Sequence, residues 1–352
     1  MTWGSRIGIG VVLLGGLIAA AWLIWAIGFA AVVASVARAG FGGLALLCLF
    51  SLLVFALLAV AWFYLLPHAQ RCSLPQFMLA RLVRDSIAEI SPFSPVGGMV
   101  AAARLMILDG MDPGYAAASV AADATTEAMA QVAFLAFGVA LAAAHFRPLP
   151  NAGPLIGATE AALVLAIPGI ALLIALQKKG ADLAERIAGR FFPQVREGSS
   201  FRAAIHDLYD APGRLAASAA LHLIAWIGAG TRIFIAFRLV GAPISLADAI
   251  ALEALLCTLR SIAAFVPAAV GVQEAGYAML APLFGVPAEM GLAVSLLKRA
   301  WEIVIGVPSL IYWQSVEGRA AVRGAHEPVQ WTGESSERRE LGRAAGTDAP
   351  HE

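Results

Sequence analysis

Asp123 and Glu127 stand four residues apart inside an apolar run, so a helix would set both carboxylates on one face. Arg232 interrupts a second run. Glu253 and Arg260 interrupt a third, with Gln273 and Glu274 shortly beyond them. Lys298, Arg299 and Glu302 crowd a fourth. At the centre of a membrane helix each such charge costs about 2.5–3.5 kcal/mol, so it needs a partner or a wet cavity. Two kinds of chemistry follow. The charges can pair and lock helices together, or they can line a polar cavity that takes the head of an amphipathic lipid. In the second case Arg232 or Arg260 would attract an anionic or hydroxylated head. Asp123 and Glu127 would then be carboxylates able to exchange a proton, because burial raises a carboxylate's pKa.

Other chemistries find no residues to carry them. His222, one turn before Trp226, reads as a packing residue. Cys48, Cys72 and Cys257 have neither CxxC nor metal-ligand spacing and read as small buried hydrophobes. No HxH, HExxH or paired-aspartate pattern gives a metal site. Pro95-Val96-Gly97-Gly98 lacks the spacing and the lysine of a phosphate loop. No GxSxG nucleophile elbow is present. No metal, cofactor or enzymatic activity is therefore expected.

The elements that must position the charges are helices in lipid. Of 352 residues, 60% are hydrophobic and 14% charged, and the mean hydropathy is +0.79. A soluble domain carries about a quarter charged residues. The net charge is zero, so no global basic field suits nucleic acid. Runs long enough to span, about 20 residues, are Ile7–Ile27, Phe41–Leu66, Tyr115–Phe146, Leu155–Leu176, Arg214–Val240 and Glu289–Trp313. Ser73–Leu108 and Ile244–Phe284 are apolar but broken, the first at Ser91–Gly98 with Pro92, Pro95, Gly97 and Gly98, the second at Val266–Gly271 with Pro267 and Gly271. Proline and glycine weaken a helix there, and lipid does not tolerate broken backbone, so each stretch reads as a re-entrant helical hairpin. The segment 177–212 is basic, with apolar residues at helical spacing, and reads as an amphipathic helix at the cytoplasmic surface. The polar tail 317–352 reads as disordered.

With the N-terminus inside, 17 Lys and Arg fall on the cytoplasmic side and 4 on the other. Both termini are therefore expected in the cytoplasm. That tally places Arg81 and Arg84 among the cytoplasmic charges. Slid by 175 residues, Leu82–Gln131 lies on Cys257–Gly306 with 10 of 50 positions identical, including Pro92 on Pro267, Gly110 on Gly285 and Glu127 on Glu302. Repeat one then covers about 41–146 and repeat two about 214–316. Three spans separate their starts, which inverts the second copy, an arrangement found in many secondary transporters. The same shift sets Asp123 on Lys298 and Asp85 on Arg260, suggesting ion pairs across the symmetry axis.

Ser91-Pro92-Phe93-Ser94-Pro95-Val96-Gly97-Gly98 followed by Ala103-Arg104-Leu105 resembles the first signature of the flippase-like membrane proteins related to the membrane half of lysylphosphatidylglycerol synthase. Phe265 to Tyr277 resembles the second signature, and Leu283-Phe284-Gly285-Val286 with Lys298-Arg299 resembles the block downstream. The pattern is similar in particular to the hopanoid biosynthesis-associated HpnL branch. Two positions depart from it: Met99 stands where an acidic residue is expected, and Ala268 where glycine is. The resemblance covers about residues 7–316. It implies movement of a hopanoid or a lipid handled with hopanoids between leaflets, without lysyl transfer, because the soluble aminoacyl-transferase domain has no counterpart in this sequence.

The expectation is thus an all-α polytopic membrane protein of six spans and two oppositely inserted re-entrant hairpins in a bacterial inner membrane. Asp123, Glu127, Arg232, Arg260, Gln273, Glu274, Lys298, Arg299 and Glu302 would face its substrate. Its partners would be a membrane lipid and, in a scaffold reading, lipid-biosynthesis proteins. A lipid-modifying enzyme is the other alternative.

Overall fold

The computed structural model describes residues 29–68, 72–90, 94–147, 200–262 and 269–326, with residues 153, 157 and 161. Within them the chain is helical: α1 (Phe29–Leu65), α2 (Leu74–Ile90), α3 (Ser94–Leu108), α4 (Pro113–Phe146), α5 (Ser200–Tyr209), α6 (Pro212–Leu239), α7 (Leu246–Ile262), α8 (Val272–Leu280), a 3-10 turn at Ala281–Phe284, and α9 (Ala288–His326). Among the described residues, Ala37–Leu65, Pro113–Phe146 and Pro212–Leu239 are long and apolar enough to cross a membrane. They coincide with three of the six expected spans. Helix α9 covers a fourth, but Lys298, Arg299, Glu302 and Glu317 dilute its hydropathy. The expected spans Ile7–Ile27 and, but for two isolated positions, Leu155–Leu176 lie outside the described residues, as do Pro92, Pro267 and residues 177–199.

Local chemistry explains where the helices begin. Asp112 caps α4 by accepting from the Tyr115 amide at 3.1 Å, and Pro113 opens the helix where no N–H is needed. Ser245 caps α7 by accepting from the Asp248 amide at 3.1 Å. Gly271, at φ 80, precedes α8 and donates its amide to Glu274 Oε2 at 2.8 Å. The turns before α4 and α9 contain Gly110 at φ 96 and Gly285 at φ 73, a left-handed backbone that glycine adopts without strain.

Two short-helix pairs occupy the broken stretches. Helices α2 and α3, of 17 and 15 residues, are each about 25 Å long or less, short of a hydrocarbon core of about 30 Å. They pack side by side. Gly98 permits this: a Cβ there would lie 2.2 Å from the Arg84 carbonyl oxygen. The break in this pair is shorter than expected. Pro95, Gly97 and Gly98 belong to the first turns of α3, since proline is tolerated in a first turn and Gly98 serves packing rather than a turn. In the second pair, α7 packs on α8.

Two apolar cores hold these pairs. One gathers the end of α1, α2, α3, the start of α4 and α5, with Trp62 set edge-on to Phe77 at 5.0 Å. The other gathers the ends of α4 and α6 with α7, α8 and the start of α9, including Phe237 beside Tyr277 at 6.3 Å. The packing crosses over between them: α2 lies against α9, α7 against α4, and α1 against α6. The expected tail boundary at 317 is displaced, because α9 continues to His326. Arg319 supports the added turns by donating to the Ser315 carbonyl and hydroxyl, each at 3.1 Å.

Candidate functional site

Helix α2 presents Arg81, Arg84 and Asp85 on one side, and α4 presents Asp123 and Glu127. Arg81 spans both: its Nε donates to Asp85 at 2.8 Å, Nη1 to Asp123 at 3.0 Å and Nη2 to Glu127 at 2.5 Å. Arg84 repeats the bridge, donating to Asp123 at 2.5 Å and Glu127 at 2.7 Å. Asp123 is also met by His222 Nε2 from α6 at 3.0 Å. Two guanidiniums thus face three carboxylates. Asp123 and His222 are fully buried, while Glu127 keeps 16% of its side chain exposed. Below them Thr126 and Ser218 share a hydrogen bond of 3.0 Å between α4 and α6.

The polar strip opens where the two short-helix pairs converge. Near the end of α2, Glu89 accepts from Arg260 near the end of α7; their side chains are 32% and 22% exposed. One turn beyond Glu127, Gln131 donates to Cys257 Sγ at 3.0 Å and Ser261 Oγ at 2.9 Å on α7. Glu302 of α9 lies within electrostatic reach of Glu89 and Arg260. The graded exposure, from sealed at Asp123 to a third open at Glu89, gives a polar face with a rigid base.

The remaining expected residues hold the second pair in place. Lys298 donates to Glu253 at 2.8 Å, and Tyr277 donates to the same carboxylate at 2.6 Å. Arg299, fully buried, donates to Glu274 at 3.0 Å, to Glu302 at 3.2 Å and to the Ala269 carbonyl at 3.3 Å. Ala269 itself sits at φ 47, in the region that favours glycine, one residue from the position where glycine is expected. Glu274 therefore serves as a helix cap and an anchor for Arg299. Gln273 is fully buried, and neither end of its amide finds a partner among the described residues. Arg232 donates to Ser51 at 2.9 Å and lies 5.1 Å from the Trp301 ring.

Three expectations are corrected. Asp123 does not pair with Lys298, nor Asp85 with Arg260: Asp123 binds Arg81 and Arg84, Lys298 binds Glu253, Asp85 binds Arg81 on its own helix, and Arg260 binds Glu89. Arg81 and Arg84 are not surface charges but are buried in the ion cluster. His222 does more than pack, since it bonds Asp123. The spacing Arg81, Arg84, Asp85, Glu89 is the helical signal that reveals this face. Taking Arg81, Arg84 and Arg260 out of the charge tally leaves its bias unchanged in direction. Among the described residues no group of three His, Cys, Asp or Glu is arranged for a metal.

The profile of the family described as lysylphosphatidylglycerol synthase TM region matches residues 8–308. No curated protein and no solved structure matches the chain. The long apolar helices and the matched membrane region make it a multi-pass membrane protein. Most of the chain lies within that match, and it belongs to the lysylphosphatidylglycerol synthase transmembrane-region family.

Proposed function

We propose that this protein binds the head of an amphipathic membrane lipid at the polar strip and moves it between leaflets. The observation that carries this reading is the partly exposed Glu89–Arg260 pair, which joins the ends of α2 and α7 at the open end of the buried ion cluster. A lipid head needs such a place, because unpaired polar groups in hydrocarbon cost several kcal/mol. In this reading α2–α3 and α7–α8 are re-entrant hairpins inserted from opposite faces, and α1–α4 and α6–α9 are inverted copies within a six-span architecture. The 175-residue offset supports the repeat, since it carries Pro113 at the start of α4 onto Ala288 at the start of α9 and Gly110 onto Gly285. The lipid is a hopanoid or one handled with hopanoids, on the strength of the sequence resemblance. The membrane is a bacterial inner membrane with both termini in the cytoplasm. The activity is transport rather than catalysis.

Full-length protein in vesicles carrying a fluorescent lipid tests this by the rate at which the inner-leaflet label becomes reachable to a quencher. Wild type should raise that rate. Arg260→Ala and Glu89→Gln should each lower it about tenfold, the loss of about 1.4 kcal/mol. Unchanged rates in variants that remain folded would overturn the assignment of this pair.

A further inference from the structure

Arg81, Arg84, Arg260, Lys298 and Arg299 each touch a carboxylate. Arg232 touches none among the described residues. Among the described residues its hydrogen bond goes from Nη1 to Ser51 Oγ, whose own proton is committed to the Leu47 carbonyl at 2.7 Å. Its Nε is buried without a partner, and its guanidinium lies over Trp301. The three carboxylates within its electrostatic reach, Glu253, Glu302 and Glu89, are already bonded to Lys298, Arg299 and Arg260. Ser51 falls at the middle of the apolar span Ala37–Leu65, so this cation stands at membrane depth. A charge held there is costly unless an anion joins it.

Beside it runs an apolar groove of about 430 Å³, lined by Phe41, Leu44, Cys48, Leu49 and Leu52 of α1 and Val304 of α9, with Ala45 between them. The groove opens sideways: Phe41 and Leu49 are 87% and 67% exposed. Along α1, from Phe41 to Leu52, it extends for roughly 16 Å. Cys48, at its inner wall, feels the charge of Arg232, and Val304 lies one helical turn from Trp301. Arg232 stands behind the wall of this apolar slot, on Ser51 beside Leu52 and over Trp301, and touches no carboxylate among the described residues, a combination that suits a lipid with an anionic head.

We propose that the α1–α9 groove holds a hydrocarbon chain of an anionic phospholipid whose phosphate pairs with Arg232. This deepens the lipid-handling reading above and rests on it. The phosphate supplies the missing anion, and the chain reaches the groove directly from the bilayer.

Cys48 reports on occupancy without any added label site. Full-length protein is placed in vesicles of phosphatidylcholine alone, or of phosphatidylcholine mixed equally with phosphatidylglycerol. Alkylation of Cys48 by a membrane-permeant maleimide is then followed by peptide mass spectrometry. Phosphatidylglycerol should slow the reaction about tenfold, as expected for a site occupied about nine-tenths of the time. Arg232→Gln should remove the difference between the two membranes, Arg232→Lys should keep most of it, and Ala45→Trp, which fills the groove, should make the rate independent of lipid. Equal rates in both membranes for wild type, persistence of the difference in Arg232→Gln, or protection by inorganic phosphate alone would each overturn the proposal. Normal lipid movement without Cys48 protection would sink this subsite and leave transport standing; protection without lipid movement would do the reverse.

Discussion

A guanidinium sealed among carboxylates leaves a charge stranded when it is removed. Arg81 is 2% exposed and bridges Asp85, Asp123 and Glu127. Removing one partner of a buried pair costs about 3–5 kcal/mol. Arg81→Met should therefore lower the thermal stability of the detergent-solubilised protein by an amount of that order. Combining it with Glu127→Gln should cost less than the two changes summed, with a coupling of about 0.5–3 kcal/mol. Additive losses in thermal-unfolding measurements would show that the pair is not coupled. This is also the scale at which the sequence was hardest to read. Asp123, Glu127, Lys298 and Glu302 betray themselves by interrupting apolar runs. Arg81 and Arg84 lie seven residues or more into a broken stretch beside a basic loop, where composition resembles a membrane surface. Only the packing of α2 against its neighbours reveals that they are interior. Pairing is likewise a property of three dimensions: the internal repeat brings Asp123 onto Lys298 in register, yet each binds a different helix.

At the scale of the element, Gly98 decides how closely α3 can approach α2. A methyl group there meets the Arg84 carbonyl oxygen at 2.2 Å, a backbone atom that cannot swing aside. Gly98→Ala should destabilise the protein by about 1–3 kcal/mol, the usual cost of overpacking. Gly213→Ala meets nothing within 4 Å and should be neutral in the same melting measurement. The placement of the short pairs was legible because prolines and glycines punctuate apolar runs at a recognisable interval. Their fine limits were not, since Pro95 and Gly97 satisfy a first helical turn as readily as a loop. Whether α7–α8 enters and leaves by one face is open to cysteine labelling. Pro243→Cys, before α7, and Glu289→Cys, at the start of α9, should react with a membrane-impermeant maleimide from the same side. Labelling from opposite sides would show that the pair crosses.

Over the whole molecule, composition set the class and charge bias set the expected orientation. Arg319→Cys, in the last part of α9, should be reached from the face opposite Glu289→Cys if that helix spans. Reaction of both from one side of intact cells would overturn the six-span arrangement. The sequence offset of 175 residues carries the start of α4 onto the start of α9, and Gly110 onto Gly285, both left-handed. The sequence could not show how the two cores interlock, with α2 lodged against α9 and α7 against α4, since those contacts join residues far apart in the chain.

One helix belongs to both halves. The start of α9 lends Val294, Leu297 and Trp301 to the second core, while Leu310, Tyr312, Trp313 and Val316 further along rest on the first. Pro308 sits between these two footholds. It has no amide proton to offer residue 304, so the helical ladder lacks a rung at that point. Bending energy is lowest where a rung is absent. Mechanically, α9 is a rod with a compliant joint, and torque passed from one core to the other is concentrated at that joint. Residue 304, which has lost its backbone donor, is the Val304 that walls the lateral groove. A bend of the rod at this joint would therefore begin at a residue of the groove wall.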